Sequence, residues 1–277
     1  DNAGNLIRQT DARGRSICSC YDDLNRITGK DYVNSATCPG TLTLDVVYKY
    51  DETPPGSDGK GRRTAMFDSS GSTSWKYDSR GRLSEERKAI NGASAFVTQW
   101  TYTPRDEVRQ QTYPGGEVVT TSYGKWGQPN TLTGASAYVV RALPDDAGRI
   151  DYIKLGGSDA TPTLKVDYTY HAWTATNGRG RLYKVQTGPN GNPTAVQNLR
   201  YWYDRVGNVS WVQDWKAGSP ETVSFTYDEM DRLTGASGAY SENDTYAVTG
   251  NLATKNGTTY SYDSAHKHAA RVVIGSG

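Results

Sequence analysis

Hydrophobic and polar residues alternate along the chain in short segments of about five residues. In one segment Val46, Tyr48 and Tyr50 occupy alternate positions, and the segments that end at Tyr170 and Tyr227 follow the same pattern. Alternate residues of a strand point to opposite faces of a sheet, so this pattern predicts strands with one buried face. No stretch long enough for a helix has helical apolar spacing, so we expect an all-β protein.

Each alternating segment ends in a short repeated motif, Tyr-Asp-x-x-Gly-Arg-Leu. The clearest copies are residues 77–83 and 203–209, and close copies at 21–27 and 227–233 have Asn25 and Asp231 in place of Gly. Decayed copies continue along the chain and bring the total to roughly eleven units. The repeat positions on which the prediction rests are Tyr21, Asp22, Tyr50, Asp51, Tyr77, Asp78, Gly81, Arg82, Tyr203, Asp204, Gly207, Tyr227, Asp228, Arg232, Tyr262 and Asp263.

The residues after the tyrosine predict a tight turn. An Asp carboxylate can accept hydrogen bonds from backbone N–H groups two or three positions further on. Gly supplies the positive φ that a hairpin loop with a bulge needs, and Asn25 and Asp231 are residue types that tolerate the same conformation. Two alternatives stay open for the motif Arg, which can lie along a neighbouring Tyr ring or pair with the motif Asp of an adjacent unit.

Two units carry an insertion between the Tyr and the Gly-Arg pair, over residues 50–62 and 170–181. Pro and Asn-Gly within them exclude a regular strand, so we expect longer loops at the same structural point of the repeat. His171 stands at the Asp position of its motif, which favours a role in the turn.

A single hairpin cannot bury its apolar face alone, whereas successive hairpins that pair edge to edge can. The sequence therefore predicts a fold of tandem β-hairpin repeats that form a spiralling antiparallel sheet, an open partial β-shell or solenoid. We expect residues 1–277 to form one repeat array, with the motif tyrosines stacked as a ladder of rings on the inner face.

The motif copies resemble the YD-repeat, or Rhs-repeat, family over essentially the whole chain. The family includes bacterial Rhs proteins, C components of insecticidal toxin complexes, wall-associated proteins and teneurins. The resemblance implies a secreted or cell-surface bacterial shell that encloses a C-terminal toxin polypeptide, with neighbouring YD repeats of the parent protein as partners. The chain contains no Asp-Pro pair, which the self-cleaving end of bacterial shells carries. We therefore expect a middle segment of a longer protein, without that cleavage activity.

Composition narrows the function further. The formal net charge is +1, which argues against a nucleic-acid partner, and no apolar run is long enough for a membrane span. The N-terminus lacks the pattern of a signal peptide. With 20 Tyr and 7 Trp but only 3 Phe, tyrosine must supply much of the packing.

Cysteine and histidine do not indicate a cofactor. Cys18, Cys20 and Cys38 are an odd number, which favours free thiols or one bridge to Cys38 over a zinc site. His266 and His268 would share a strand face and could hold a metal, but no third ligand is evident, so an ordinary exposed pair is favoured. We expect no cofactor.

Catalysis is disfavoured and sugar binding stays as the alternative. Adjacent carboxylates on a strand point to opposite faces, and no nucleophile elbow or phosphate loop occurs, so we expect no enzyme. Exposed aromatic residues could instead make this an adhesion or carbohydrate-binding module. Candidates for glycan contact are Trp173 and Trp202, with Trp211 and Trp215 nearby in sequence, although packing within the repeat is the favoured interpretation of these side chains.

Overall fold

The computed structural model describes residues 1–216, 218–264 and 267–274, with only the backbone of 272–274. These residues form 23 strands and no helix. Contacts along the chain group them into two units, one of residues 1–128 and 132–135, the other of residues 129–131 and 136–277. The repeat motif occurs in both units.

The first unit contains ten strands. They are β1 (Arg8–Thr10), β2 (Ser16–Tyr21), β3 (Ile27–Val33), β4 (Val46–Tyr50), β5 (Arg63–Asp68), β6 (Gly71–Tyr77), β7 (Leu83–Ile90), β8 (Phe96–Tyr102), β9 (Val108–Thr112) and β10 (Val118–Tyr123). Each strand pairs antiparallel with the next along the chain.

Strand β11 (Pro129–Thr133) has residues in both units. The remaining strands lie in the second unit. They are β12 (Ala137–Pro144), β13 (Ile150–Leu155), β14 (Leu164–Tyr170), β15 (Leu182–Gly188), β16 (Gln197–Tyr203), β17 (Val209–Asp214), β18 (Glu221–Tyr227), β19 (Leu233–Gly238), β20 (Glu242–Tyr246), β21 (Leu252–Lys255), β22 (Thr258–Ser261) and β23 (Val272–Ile274).

Pairing in the second unit is also antiparallel between consecutive strands, from β12 to β23. The described residues therefore form an open sheet of hairpins, which confirms the all-β antiparallel fold expected from the alternating segments. Because strands alternate in direction, the motif turns of each unit all lie on one side of the sheet, where the strands end. The other connections lie at the opposite ends of the strands.

A β-bulge follows almost every motif turn. In the hairpin of β6 and β7, Lys76 faces Glu85 but Tyr77 faces Leu83, so that Ser84 is the extra residue. The same one-residue shift occurs in nine hairpins of the described chain. A bulge bends its strand and increases the local twist, so the repeat builds a regular bend into the sheet.

The two faces of the sheet differ in polarity. On β18 the half-buried Val223, Phe225 and Tyr227 alternate with Ser224 and Thr226, which are exposed. We call the face with the motif tyrosines the tyrosine face. Few hydrophobic side chains are fully buried in the described part of the chain: Cys18, Val46, Ala65, Val119, Val185 and Ala236. Packing in each unit therefore depends on contacts between neighbouring strands of one layer.

A disulfide links β2 to the loop between β3 and β4. It joins Cys18 to Cys38, whose Cα atoms are 5.8 Å apart, and leaves Cys20 as a free thiol. Of the alternatives left open by the sequence, the single bridge to Cys38 is the one formed. Among the described residues there is no helix with the length and apolar character needed to cross a membrane.

Candidate functional site

The motif Asp organises its turn through the backbone. One carboxylate oxygen of Asp22 accepts hydrogen bonds from the N–H groups of Leu24 and Arg26, at 3.0 and 2.9 Å. Asp78 and Asp228 bind the second and fourth N–H groups beyond them in the same way. From the sequence, the second or third N–H was the expected donor. The carboxylate also reaches the fourth N–H because the chain reverses within the loop.

The backbone closes each turn with two further bonds. In the first clear copy the N–H of Asp22 donates to the Arg26 carbonyl, and the N–H of Asn25 donates to the Asp22 carbonyl, both at 2.9 Å. The residue before the Arg is left-handed, with φ of 59° at both Asn25 and Asp231 and 78° at Gly81. The two substitutes for Gly thus adopt the conformation that their residue types tolerate.

Ionic contacts hold these carboxyls in the charged form. The guanidinium of Arg149 is the main cause that lowers the pKa of Asp145, and that of Arg232 does the same at Asp228. At Asp22 the backbone N–H of Arg26 contributes most to the lowered pKa. The turns that contain both Asp and Arg therefore present an ionised carboxylate to their own Arg.

The motif tyrosine connects its unit to the preceding one. The hydroxyl of Tyr102 donates to the carbonyl of Leu83 at 2.6 Å, and that of Tyr203 donates to the carbonyl of Leu182 at 2.8 Å. Ten motif tyrosines of the described chain make the equivalent bond. Nine of them donate to the carbonyl of the first residue of the strand after the preceding motif turn, and Tyr21 donates to Leu6, two residues before β1. The ten are Tyr21, Tyr50, Tyr77, Tyr102, Tyr123, Tyr170, Tyr203, Tyr227, Tyr246 and Tyr262.

Burial keeps these phenols protonated. Removal of the hydroxyl from water raises the pKa of Tyr77, Tyr102, Tyr203 and Tyr227 above its ordinary value. A neutral phenol can donate to a carbonyl, whereas a phenolate cannot. These four hydroxyls are therefore donors throughout the neutral pH range.

The motif arginine connects its unit to the following one. The Nε of Arg82 donates to Asp78 of its own turn at 2.8 Å, and its guanidinium lies 4.5 Å from the ring centroid of Tyr102 in the next unit. Arg26, Arg149 and Arg232 combine the same two contacts. Of the two alternatives left open by the sequence, contact with the neighbouring Tyr ring occurs at all four of these Arg residues. The Asp that they bind is chiefly that of the same unit.

Direct stacking of consecutive motif tyrosines is not found among the described residues. An arginine covers the ring instead, and the hydroxyl is directed to a carbonyl. The expected ladder of stacked tyrosine rings was therefore wrong, because consecutive motif tyrosines such as Tyr77 and Tyr102 lie two strands apart and an Arg lies over the second ring.

Some of these side chains reach further, to the next turn. Arg26 binds Asp51 through both terminal nitrogens, and Arg82 binds Asp106 at 2.6 Å. Where the motif has Asn in place of Arg, Asn208 donates to Asp231 at 2.9 Å. Asp106 and Asp231 both have positive φ, so the left-handed position also serves as an acceptor for the preceding unit.

The two insertions keep the backbone hydrogen bond that closes the turn. The N–H of Asp51 donates to the Arg62 carbonyl and that of His171 to the Arg181 carbonyl, as in the short turns. The guanidinium groups of Arg62 and Arg181 then occupy the space where Gly81 and Gly207 lack a side chain. The ring of His171 contacts the Tyr201 carbonyl at 2.9 Å, so this residue joins its turn to the next unit.

The last motif copy follows the same rules. Tyr262 donates to the Leu252 carbonyl, and Asp263 pairs with Arg271. His268 contacts Asn251 at 2.8 Å, and His266 lies outside the described residues. No group of three or more His, Cys, Asp or Glu side chains that could hold a metal ion is present in the part of the chain that the structure describes.

The two tryptophans that are candidates for glycan contact lie in different surroundings. Trp173 is 65% exposed in the loop of the second insertion, against Gly180 and 5.1 Å from the guanidinium of Arg149. Trp202 is half-buried and stacks on Trp211 across β16 and β17, with ring centroids 3.4 Å apart and planes at 12°. No ring contact joins Trp173 to Trp202 in the described chain.

One motif-like turn escaped the sequence analysis. Asp11 organises the turn between β1 and β2 through the N–H groups of Arg13 and Arg15, as the motif Asp does. It lies at the strand ends opposite the motif turns and has no Tyr before it. The run Asp-Ala-Arg-Gly-Arg was a usable signal without the tyrosine.

The fold and these contacts define a class of protein built from tandem β-hairpins, each joined to the next by Tyr and Arg. Solved toxin-complex structures have this fold. The chain matches TcdB2-TccC3 without its hypervariable C-terminal region over 99% of its own length, with 16% identity and a TM-score of 0.80. It matches TcdB2-TccC3-Cdc42 over 99%, with 16% identity and a TM-score of 0.78.

A Photorhabdus luminescens Tc holotoxin pore with a mutated TccC3 matches 97% of the chain, with 17% identity and a TM-score of 0.75. The chain spans only 15 to 16% of these proteins. No protein-family model and no curated protein sequence matches the chain. The structural matches confirm, at the level of the fold, the YD-repeat resemblance seen in the motif.

Proposed function

We propose that this chain is a non-catalytic structural segment of a larger YD-repeat shell that encloses or presents another polypeptide. The observation that carries the proposal is the match of almost the whole chain to about one sixth of the toxin-complex proteins. The motif residues support it, because the Asp side chains hold the turns and the Tyr and Arg side chains join one unit to the next.

The tyrosine face is the surface that we assign to the polypeptide. Its strands present half-buried apolar side chains such as Val223 and Phe225, with the neighbouring exposed positions on the opposite face. An unfolded polypeptide exposes apolar groups that such a face can cover. The Cys18–Cys38 bridge fits an oxidising compartment, which supports a secreted or cell-surface bacterial location.

The test is capture of a permanently unfolded polypeptide. Fluorescently labelled, reduced and carboxymethylated α-lactalbumin is titrated with the full chain, and binding is followed by fluorescence anisotropy. We expect saturable binding of this probe and none of folded α-lactalbumin. Absence of saturable binding, or equal binding of the folded form, would reject the enclosing role.

Two variants of β18 locate the contact. Phe225→Ser removes an apolar group from the tyrosine face, and Ser224→Ala changes the adjacent position on the opposite face. We expect several-fold weaker binding for the first variant and unchanged binding for the second, once thermal unfolding shows that both are folded.

A further inference from the structure

Strand β20 carries two carboxyl groups on the tyrosine face of the second unit. Glu242 and Asp244 alternate with Tyr246 along the strand, so the three side chains point to the same side of the sheet. Lys255 lies directly opposite Asp244 on the paired strand β21. Two carboxyl groups and one amine therefore meet at a single point of this hairpin.

The amine of Lys255 contacts both carboxyl groups. Its Nζ pairs with Oε1 of Glu242 and lies 3.8 Å from Oδ2 of Asp244. The carboxyl groups of Glu242 and Asp244 are also hydrogen-bonded to each other. An ionised carboxylate only accepts hydrogen bonds, so one of the two groups must hold a proton.

Burial determines which carboxyl group is neutral. The side chain of Asp244 is only 5% exposed, and its Oδ1 has no hydrogen-bond partner among the described residues. Removal from water raises the pKa of Asp244, and the neighbouring Glu242 raises it further. Contact with Lys255 lowers the pKa of Glu242 instead. Asp244 is therefore the neutral acid, and Glu242 is the carboxylate that faces the amine.

These protonation states suit the formation of an amide. A neutral carboxylic acid is open to attack at its carbonyl carbon, whereas a carboxylate resists a nucleophile. Contact with Glu242 raises the pKa of Lys255, so the amine becomes a nucleophile only after it gives up a proton. Glu242 already contacts Nζ and can accept that proton as a general base.

The surroundings favour the loss of these charged and acidic groups. A buried carboxyl group with an unpartnered oxygen is costly, and an uncharged amide would replace the carboxyl and the ammonium together. The turn of this hairpin also lacks the usual ion pair, because Ala247 and Asn251 stand at the motif Asp and Arg positions. A covalent link between β20 and β21 would close the hairpin in place of that pair.

We propose that Lys255 and Asp244 form an intramolecular isopeptide bond, with Glu242 as the general base. Nζ of Lys255 attacks Cγ of Asp244, the new N–C bond forms, and the bond from Cγ to the hydroxyl oxygen breaks. The ammonium loses two protons in the process. One passes through Glu242 to the departing hydroxyl, which leaves as water, and the other remains on Glu242. The reaction occurs once in each chain and needs no further reactant.

The experiment is intact-protein mass spectrometry of the folded full chain, after reduction of the Cys18–Cys38 bridge. We expect a mass lower than that of the sequence by one water molecule. A mass equal to that of the sequence, unchanged after prolonged incubation of the folded chain at neutral pH, would overturn the proposal and leave an ordinary ion pair.

Tryptic digestion locates the bond. Trypsin does not cleave after a lysine whose amine is part of an amide, so residues 233–267 should remain one peptide that contains a ring. Fragment ions from cleavage of the backbone between Glu242 and Asp244 should appear, because that part lies outside the ring. Their absence would place the bond on Glu242 and contradict the proposal. Lys154 is the internal control, since it pairs with the exposed Asp159 at 2.7 Å and should remain open to trypsin.

Two variants separate the roles of the carboxyl groups, and the linked fraction is followed with time after cell-free synthesis. Asp244→Ala should keep the full mass of its own sequence. Glu242→Gln keeps the size of the side chain but cannot act as the base, so we expect the bond to form at least tenfold more slowly. Asp159→Ala is the matched control and should not change the rate. Equal rates in the unaltered chain and a folded Glu242→Gln variant would exclude the assigned base.

Discussion

At the scale of single residues, several boundaries between units are held by two side chains that reach in opposite directions. Tyr102 donates back to Leu83 of the preceding unit, while Arg82 of that unit reaches forward over the ring of Tyr102. The hydroxyl bond is directional and partly buried, whereas the guanidinium contact is broader and more exposed. The hydroxyl is therefore the more specific of the two contacts.

Removal of one hydroxyl tests this contact. Tyr102→Phe keeps the ring under Arg82 but leaves the Leu83 carbonyl without its donor, so we expect a loss of about 0.5–1.5 kcal/mol in the free energy of unfolding. Urea unfolding measures the loss. Tyr113→Phe is the control, since Tyr113 lies in the connection between β9 and β10, at the strand ends opposite the motif turns, and is 43% exposed. Equal effects of the two changes would show that the hydroxyl bond contributes nothing specific.

At the scale of the hairpin, the left-handed position determines which turn can form. Asn25 and Asp231 show that a side chain is tolerated there when it is short and polar. At Gly207 the requirement is stricter, because its φ of 113° is far from the 59° that Asn25 and Asp231 adopt. The guanidinium of Arg181 lies 2.3 Å from the ideal position of a Cβ there, but it is the end of a flexible side chain and can move aside.

This constraint predicts unequal costs of substitution. Gly207→Ala should destabilise the chain by roughly 1–2 kcal/mol, because the left-handed backbone is strained for Ala. Asn25→Gly should cost less, because the backbone conformation stays accessible and only the contact with Asn5 is lost. Thermal unfolding of the two variants shows which substitution causes the larger loss of stability. A smaller loss for Gly207→Ala would show that the turn relaxes around the added methyl group.

Much of the hairpin was predictable from the sequence, because turn chemistry is local. Asp22, Asn25 and the alternation before Tyr21 lie within a few residues of one another. The Trp202–Trp211 pair was not predictable, since it depends on the extra residue Ser210. Without that bulge, Trp202 would face Ser210 and no aromatic stack would form. The partner of each Arg was also open, since acceptors in two units lie within its reach.

At the scale of the whole molecule, the repeated turns make stability depend on pH. Hydrogen bonds and guanidinium contacts lower the pKa of Asp22, Asp145 and Asp228 below the ordinary value of 3.8. A carboxyl with a lowered pKa in the folded chain stabilises it above the unfolded pKa, and this contribution is lost as the pH falls through the folded pKa. Because several turns share these contacts, their stabilising contributions are lost over the same pH range.

We therefore expect the urea midpoint to be constant from pH 7 to about pH 5 and to fall steeply below about pH 4. The fall should be shallower in Asp145→Asn, because Asn can still accept the turn hydrogen bonds but has no charge to lose. Unfolding curves at several pH values measure both chains. Identical pH profiles would show that the Asp145–Arg149 pair does not contribute to the acid sensitivity.

The opposite directions of Tyr and Arg also bear on how such a chain can change in evolution. Most units present a hydroxyl to the unit before them and a guanidinium or amide to the unit after them, so these joints are made from the same two halves. Duplication or loss of one complete unit brings together halves that already fit. A gene for this architecture can therefore grow or shrink by whole hairpins, whereas a cut within a hairpin would separate a Tyr from its Asp.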